Sequence, residues 1–249
     1  MNRTNVCGLL LSLIWFGSAS DAVPSPNVLE TAQPATVLGD GGYVVSSTSF
    51  LAARFTVAET TQVTGLAGNL ASGPLPRSAL FAAIVKLGSP TAMPVNGTFA
   101  NASSAFAPQD VVATTLFSAG STASTLVSRH IEIPFSSVIA PGSYALVFGS
   151  GLFGANAEGY MPDNNPTIAG QASPMAWGPS TFSPELGQYV YSWSNFPINA
   201  TTMRFVVEGH AIPEPATAAL VMAAVGAAAM FSRRVSWRMG TLGSRESRA

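Results

Sequence analysis

The sequence predicts an all-β fold in which two sheets pack face to face, a two-sheet β-sandwich of the jelly-roll-like kind. Two observations predict it. Between residues 43 and 211, short runs of β-branched and aromatic residues are separated by clusters of Gly, Pro, Ser and Asn, as in strands joined by turns. The same range holds hardly any apolar residues at helical spacing. Short strands without intervening helices favour a sandwich over a sheet covered by helices.

The first 22 residues have the plan of a signal peptide. Arg3 precedes an apolar stretch from Val6 to Phe16, and small residues follow, with alternative cleavage sites at 18–20 and 20–22. An uncleaved anchor is the alternative, but this stretch is short for a hydrocarbon core of about 30 Å. The single cysteine, Cys7, lies within this segment. The mature body is therefore expected to have no disulfide, no cysteine metal ligand and no cysteine nucleophile.

Eight or nine strands are expected in the body, which we place at residues 23–211. They are predicted in the segments YVVSSTSFLAARFTVAE (one long bent strand or two), TQVTGLAGNL, SALFAAIVKLG, DVVATTLFS, STLVSRHIEIPFS, PGSYALVFGSG, QYVYSWS and TMRFVVEGH. Residues 89–109 contain prolines and many small polar residues and are predicted to form a loop. RHIEIPF and MRFVVEG alternate as half-buried strands do, whereas YALVF is continuously apolar and is expected at the centre of a sheet.

A second apolar segment follows the body. Residues 216–231 carry no charge, and Thr217 is the one polar interruption within them. Arg233, Arg234 and Arg238 follow. A buried core helix is one interpretation of an apolar run of this length. The segment has no polar face to meet water, however, and arginines after an apolar helix are the cytoplasmic stop that the positive-inside rule expects. We therefore predict one C-terminal transmembrane helix, a membrane stop at the three arginines and a basic cytoplasmic tail at residues 235–249.

The end of the chain resembles a known sorting signal. Pro213, Glu214 and Pro215, then an apolar helix, then an arginine cluster follow one another in the order found in the PEP-CTERM sorting signal of exported bacterial proteins. The resemblance covers about residues 212–234. It implies recognition by an exosortase, an integral-membrane processing enzyme, and an association with exopolysaccharide and biofilm. The protein is thus expected to be exported to the cell envelope, the outer surface or the extracellular matrix, anchored by its C-terminal helix at least before processing.

The composition limits the partners of the body. Charged residues make up 9 % of the chain, against roughly 25 % in ordinary soluble domains. Five basic and nine acidic residues between positions 22 and 211 give the body a net charge of −4. This pattern argues against nucleic acid as a partner, because neutralising phosphates requires clustered Lys and Arg. No cofactor is expected.

Aromatic residues concentrate in the last third of the body. Tyr189, Tyr191 and Trp193 alternate, so they are expected to share one face of a strand. Facing outward, they would be a platform on which sugar rings stack. Facing inward, they would be core, which is the commoner place for large aromatic side chains.

Other motifs favour structural roles. Residues 149–154, GSGLFG, match a dinucleotide fingerprint, but the helix that would hold the pyrophosphate is not predicted after them, so a glycine-rich turn is expected. His130 is expected at the surface beside Glu132, and His210 at the junction with the tail. Two histidines are too few for a zinc site. Asp163, Asn164 and Asn165 offer oxygen ligands for Ca²⁺, but a turn is favoured.

Two function classes remain. The first is a non-enzymatic exported protein that acts by adhesion or by binding polysaccharide. The second is a secreted carbohydrate-active hydrolase with the same sorting tail. Glycoside hydrolysis needs two carboxyl groups about 5 to 9.5 Å apart across a cleft, and the scattered acids nominate no pair. The first class is therefore the prediction, with no catalytic residue and no metal ligand assigned.

Overall fold

A computed structural model describes residues 27–33, 42–72, 79–99, 102–118, 129–166, 168, 174–185, 188–196 and 203–213. In these ranges the chain forms fourteen strands and one 3₁₀ turn at Pro108–Asp110. The strands are β1 Asn27–Glu30, β2 Tyr43–Val45, β3 Phe50–Val57, β4 Thr61–Ser72, β5 Leu80–Leu87, β6 Gly97–Phe99, β7 Ala102–Ser104, β8 Val111–Phe117, β9 Arg129–Ile139, β10 Gly142–Gly149, β11 Gly159–Met161, β12 Met175–Ser183, β13 Gln188–Asn195 and β14 Phe205–Ala211.

Twelve of these strands form two six-stranded sheets. Sheet A has the order β1-β14-β4-β11-β2, with β9 also paired to β4, and sheet B has the order β13-β12-β3-β10-β5-β8. The short strands β6 and β7 pair with each other. Every pairing is antiparallel, and successive strands of the chain often lie in opposite sheets. The all-β, two-sheet prediction is confirmed.

The inner core lies between the two sheets. Alternate residues of β3, β5 and β10 in sheet B contribute Leu51, Phe55, Ile84, Leu146 and Phe148 to it. Sheet A contributes residues of β4, β9 and β14 in the same way, among them Leu66, Ile133 and Phe205. The period of two in strands such as RHIEIPF places Ile131, Ile133 and Phe135 inward and the polar residues between them outward.

A second core covers the outer face of sheet B. The intervening residues Phe50, Phe81 and Val147 are buried there against Phe106 and Trp177. This explains why FAAIVKL and YALVF are continuously apolar, since both faces of these strands are covered. β10 lies between β3 and β5, so the predicted central position of YALVF is confirmed.

Close packing at the end of β10 requires a glycine. A Cβ atom on Gly149 would lie 2.5 Å from Cζ of Phe81 and 2.9 Å from Cδ1 of Phe50. Both neighbours are buried aromatic rings without room to move. The first glycine of GSGLFG is therefore explained by packing in the outer core.

Of the two alternatives for YVVSSTSFLAARFTVAE, the structure has two strands, because a turn at residues 46–49 separates β2 from β3. Two details differ from the prediction. The predicted loop at residues 89–109 contains the β6–β7 hairpin and the 3₁₀ turn. Strands β1, β11 and β12 were not predicted, since two are very short and β12 contains Gly178 and Pro179, which lower β-propensity. The irregularity that accommodates Pro179 is a shift of register between Pro179 and Thr181.

We predict that the two body tryptophans differ in what their indole N–H contributes. Trp193 donates to the backbone carbonyl of the buried Ala105, whereas Nε1 of Trp177 is buried with no partner among the described residues. Trp193→Phe should therefore lower the free energy of unfolding by about 1–3 kcal/mol more than Trp177→Phe, because it leaves a buried carbonyl unpaired.

The measurement is urea unfolding of the full-length chain in mild detergent, followed by circular dichroism. Trp177→Phe is the matched control, since it shortens a buried indole in the same way. An equal loss of stability in the two variants would contradict the assigned hydrogen bond.

Candidate functional site

The sorting segment begins directly at the end of β14. Ala211 pairs with Thr61 of β4, and the amide of Ile212 donates to the carbonyl of Thr60 over 2.8 Å. Ile212 is half-buried and Pro213 is exposed. Proline has no N–H, so the ladder of hydrogen bonds cannot continue through Pro213. The body therefore passes into the Pro-Glu-Pro motif without an intervening linker.

Most of the predicted sorting signal lies outside the described residues. This applies to Glu214 and Pro215, to residues 216–231, and to Arg233, Arg234 and Arg238. The predicted signal peptide, residues 1–22, lies outside them as well. Within the ranges that the structure describes, no helix is long and apolar enough to cross a membrane.

One end of the sandwich surrounds the start of the sorting segment. The connection between β3 and β4 at residues 58–60 touches Ile212 through the Thr60 carbonyl. The turn between β9 and β10 reaches the same end, because Ile139 pairs with Thr61 and Gly142 pairs with Val57. We call this the proximal end of the body.

The aromatic residues of β13 lie in three different environments. Trp193 is 8 % exposed, and its indole N–H donates to Ala105. Tyr191 is half-buried and stacks on Trp177 of β12, with ring centroids 5.0 Å apart and planes at 29°. Tyr189 is 57 % exposed. Exposure thus increases along β13 toward the β12–β13 connection, so the three rings are not one flat platform.

Two residues near Tyr189 were not singled out by the sequence. Phe182 of β12 pairs with Tyr189 across the hairpin, with ring centroids 5.4 Å apart and planes at 72°, and it is 51 % exposed. Val190 is 42 % exposed. The signal that could have found Phe182 is its cross-strand partner, but the register shift after Pro179 hides that pairing from the sequence pattern.

An ion cluster joins β1, β9 and β14. Arg204 is 7 % exposed and donates to Oε1 of Glu30 over 2.7 Å and to the carbonyl of Ala32 over 2.9 Å. The other terminal nitrogen of the Arg204 guanidinium is hydrogen-bonded to Nδ1 of His130. Nε2 of His130 lies 3.9 Å from Oε1 of Glu132, so the expected partner is present but is the weaker one. The principal partner of His130 is Arg204, which sequence reasoning did not identify.

The environment of His130 disfavours its charged form. Burial lowers its pKa below the ordinary value of 6.5, and the positive charge of Arg204 lowers it further. Glu132, Glu208 and Glu30 oppose this shift. Neutral His130 can accept a hydrogen bond from the guanidinium at Nδ1, and protonation there would replace that bond with repulsion.

The loop at residues 162–166 uses its Asn residues structurally. Asn165 is 1 % exposed, donates to the carbonyl of Pro162 over 3.1 Å and accepts from the buried Asn69. The turn that was favoured over a Ca²⁺ site at Asp163, Asn164 and Asn165 is thus built around a buried amide. Among the residues that the structure describes, no group of three or more His, Cys, Asp or Glu side chains is placed to hold a metal ion.

GSGLFG begins with the last residue of β10, Gly149, and its remaining residues form a turn. Gly151 and Gly154 have φ of 76° and 87°, and Phe153 has φ of 55°. The amide of Gly151 donates to Ala155, which closes the turn. No helix follows in the described residues 155–166, so the geometry needed for a pyrophosphate is not formed there.

Comparison with protein-family models finds the PEP-CTERM protein-sorting motif at residues 211–235. The match includes the Pro-Glu-Pro motif, the apolar segment and the first two arginines of the cluster, so the resemblance is confirmed. The motif implies export, exosortase-type processing and membrane association before that processing. No curated protein and no solved structure matches the chain.

We predict that His130 makes the body less stable as the pH falls. Its pKa is lower in the folded than in the unfolded state, so the unfolded state binds more protons once the pH falls below about 6.5. Thermal unfolding of the full-length chain in detergent should shift to lower temperature between about pH 7.5 and about pH 5.5. The shift should be smaller in His130→Gln, which keeps a hydrogen-bonding side chain but cannot titrate. Equal shifts in both proteins would show that His130 carries no such coupling.

Proposed function

We propose that this chain, which carries the PEP-CTERM sorting motif, is a non-enzymatic protein of the cell envelope or extracellular matrix, associated with exopolysaccharide or biofilm. A signal peptide at residues 1–22 would direct export. The tail at residues 212–234 would then retain the protein at the membrane until an exosortase-type enzyme processes it. The observation that carries the proposal is the family match at residues 211–235, which starts at the last residue of β14.

The start of the tail suits a processing enzyme. Pairing with β4 ends at Ala211, and the last backbone hydrogen bond joins Ile212 to Thr60. Two prolines in the next three residues remove two backbone donors and would favour an extended conformation. An extended, unpaired segment can enter the cleft of an enzyme. Glu214 adds a negative charge just before the predicted helix, where the helix dipole favours it.

The short distance between the body and the predicted helix would determine how the body is oriented at the membrane. Residues 213–215 can span at most about 10 Å when fully extended. The proximal end of the body would therefore lie close to the outer surface of the membrane before processing. Arg233, Arg234 and Arg238 would stay on the cytoplasmic side.

The topology supports a binding scaffold. Eight strands in chain order, β1, β3, β4, β5, β8, β9, β10 and β14, contribute β1-β14-β4-β9 to sheet A and β3-β10-β5-β8 to sheet B. We assign this nested order to the jelly-roll class, a fold used by many lectin domains. Fold alone does not define a function, so this likeness adds support only to the choice of a binding role.

The chemistry of the charged residues favours binding over hydrolysis. Glu30 is held by Arg204, and His130 contacts the same guanidinium, so both act in a structural cluster. A hydrolase would need one carboxyl group with a raised pKa beside a second carboxylate. The alternative of a secreted carbohydrate-active hydrolase with the same tail predicts release of reducing sugar from matrix polysaccharide.

We predict that the Pro-Glu-Pro motif is required for removal of the tail. Intact mass of the protein recovered from its native host should show loss of both ends in the wild type. In the variant P213A/E214A/P215A, the C-terminal loss should be blocked while the N-terminal loss persists. Thr217→Ala, a neighbouring change that leaves the motif unchanged, is the control and should be processed as the wild type is.

An intact C-terminus in the wild type would contradict processing. Removal of the tail to the same mass in the triple-alanine variant would contradict the role of the motif.

A further inference from the structure

The β12–β13 hairpin extends beyond the rest of sheet B. Only residues 175–177 of β12 pair with β3, and Trp177 pairs with Phe50, the first residue of that strand. Residues 178–183 continue past this point, and at about 3.3 Å per residue they reach roughly 20 Å further. The other end of β3 is Val57, which leads to the proximal end of the body. The tip of the hairpin therefore lies at the opposite end of the molecule from the sorting segment.

Apolar surface concentrates at this tip, which we define as Phe182, Tyr189 and Val190. They are 51 %, 57 % and 42 % exposed. Val190 lies on the other face of the hairpin, because it is adjacent to Tyr189 in β13. An aromatic side chain offers about 150–250 Å², so Phe182 and Tyr189 together expose aromatic surface on the order of 200 Å². The edge-to-face contact between Phe182 and Tyr189 leaves part of both rings accessible.

The tip is held in place by its own hairpin. Oγ of Ser180 donates to the carbonyl of Val190 over 2.9 Å, across the register shift. The base is anchored by the buried Trp177 and Trp193. Side chains that are already ordered lose little entropy when a ligand binds.

The hairpin carries almost no charge. Residues 175–195 contain one charged side chain, Glu185, and neither lysine nor arginine. The same stretch has five Ser or Thr residues, and Ser183 and Gln188 form the pair next to Phe182 and Tyr189. Tyrosine among small polar residues is the composition of adaptable recognition surfaces, in which rings supply area and hydroxyl or amide groups supply hydrogen bonds. Such a surface suits a ligand that is uncharged and rich in hydroxyl groups.

We propose that the tip binds a neutral polysaccharide chain. The C–H faces of its sugar rings would lie on Phe182 and Tyr189, and its hydroxyl groups would bond to the polar side chains beside them. The proposal extends the proposed function. It rests on that function in one respect, because it takes the membrane to lie at the opposite end of the body. Before processing, the site would point away from the membrane and into the surrounding matrix.

Two other occupants fit the tip less well. A second copy of the chain would need about 800 Å² per partner for a stable interface, which is well above the area of the tip. An anionic polymer would need basic side chains, and the hairpin has none. A small site of this kind binds weakly by itself, but many molecules on one repeating polymer bind with avidity.

The test measures binding of the full-length chain in mild detergent to neutral polysaccharides, namely cellulose, xylan and dextran, with alginate as the anionic probe. The variant F182S/Y189S removes both rings. Leu116→Ser and Val138→Ser are matched controls, because these residues are 47 % and 53 % exposed on other strands. Tyr189→Phe keeps the ring and removes its hydroxyl. Circular dichroism and analytical ultracentrifugation check folding and oligomeric state of every variant.

We expect the wild type to bind at least one neutral polymer, with affinity lowered at least about tenfold in F182S/Y189S. The two control variants and Tyr189→Phe should bind nearly as the wild type does. Absence of binding to all three neutral polymers, or equal binding by F182S/Y189S, would overturn the proposal. Stronger binding to alginate would also overturn it. So would a wild type that is dimeric and becomes monomeric in F182S/Y189S without any change in polysaccharide binding.

These outcomes are independent of export and processing. The mass measurement can fail while the tip binds, and the tip can fail to bind while the tail is processed, so the two proposals are tested separately.

Discussion

The structure depends on the insertion of the last strand of the body between β1 and β4. β14 pairs with β1 on one side and with β4 on the other, so sheet A is complete only when residues near both ends of the body have met. Phe205 and Val207 of this strand are fully buried in the inner core. Arg204, just before it, holds Glu30 and His130 together. The same strand delivers the chain to the sorting motif, since Ile212 still bonds to Thr60. Folding of the body and placement of the motif are therefore linked.

A second constraint is the burial of sheet B on both faces. Its central strands β3, β10 and β5 contribute to the inner and the outer core, so most of their side chains are buried and they form no continuous solvent-exposed face. Exposed aromatic surface is left where a strand pair leaves the sheet. The β12–β13 hairpin does so past Phe50, and its exposure rises from Trp193 to Tyr189. A binding role on this scaffold is thus directed to the hairpin.

The parts of the fold that are encoded locally could be predicted from sequence. The continuous apolar run correctly indicated the central strand β10, and alternation correctly indicated the half-buried strand β9. MRFVVEG was correctly predicted to form a strand, but it is not half-buried, because Arg204 and Val206 between its core residues are buried as well. The sorting motif could be found because its parts follow one another along the chain. The partnership of Arg204 with Glu30 could not be predicted, because these residues are 174 positions apart. The exposure of Phe182 and Val190 depends on how far β12 runs past β3, which is set by tertiary pairing.

Hydrogen exchange of the full-length chain in mild detergent measures whether β14 is a locked strand of sheet A. If β14 is locked between β1 and β4 up to the sorting motif, the amides of Phe205–Ala211 and of Ile212 should exchange as slowly as those of β4. Protection should end abruptly after Ile212. Fast exchange across β14, with β4 still protected through β9, would show that the last strand is not part of the folded body. The sorting motif would then follow a flexible linker and not the last strand of a folded sheet.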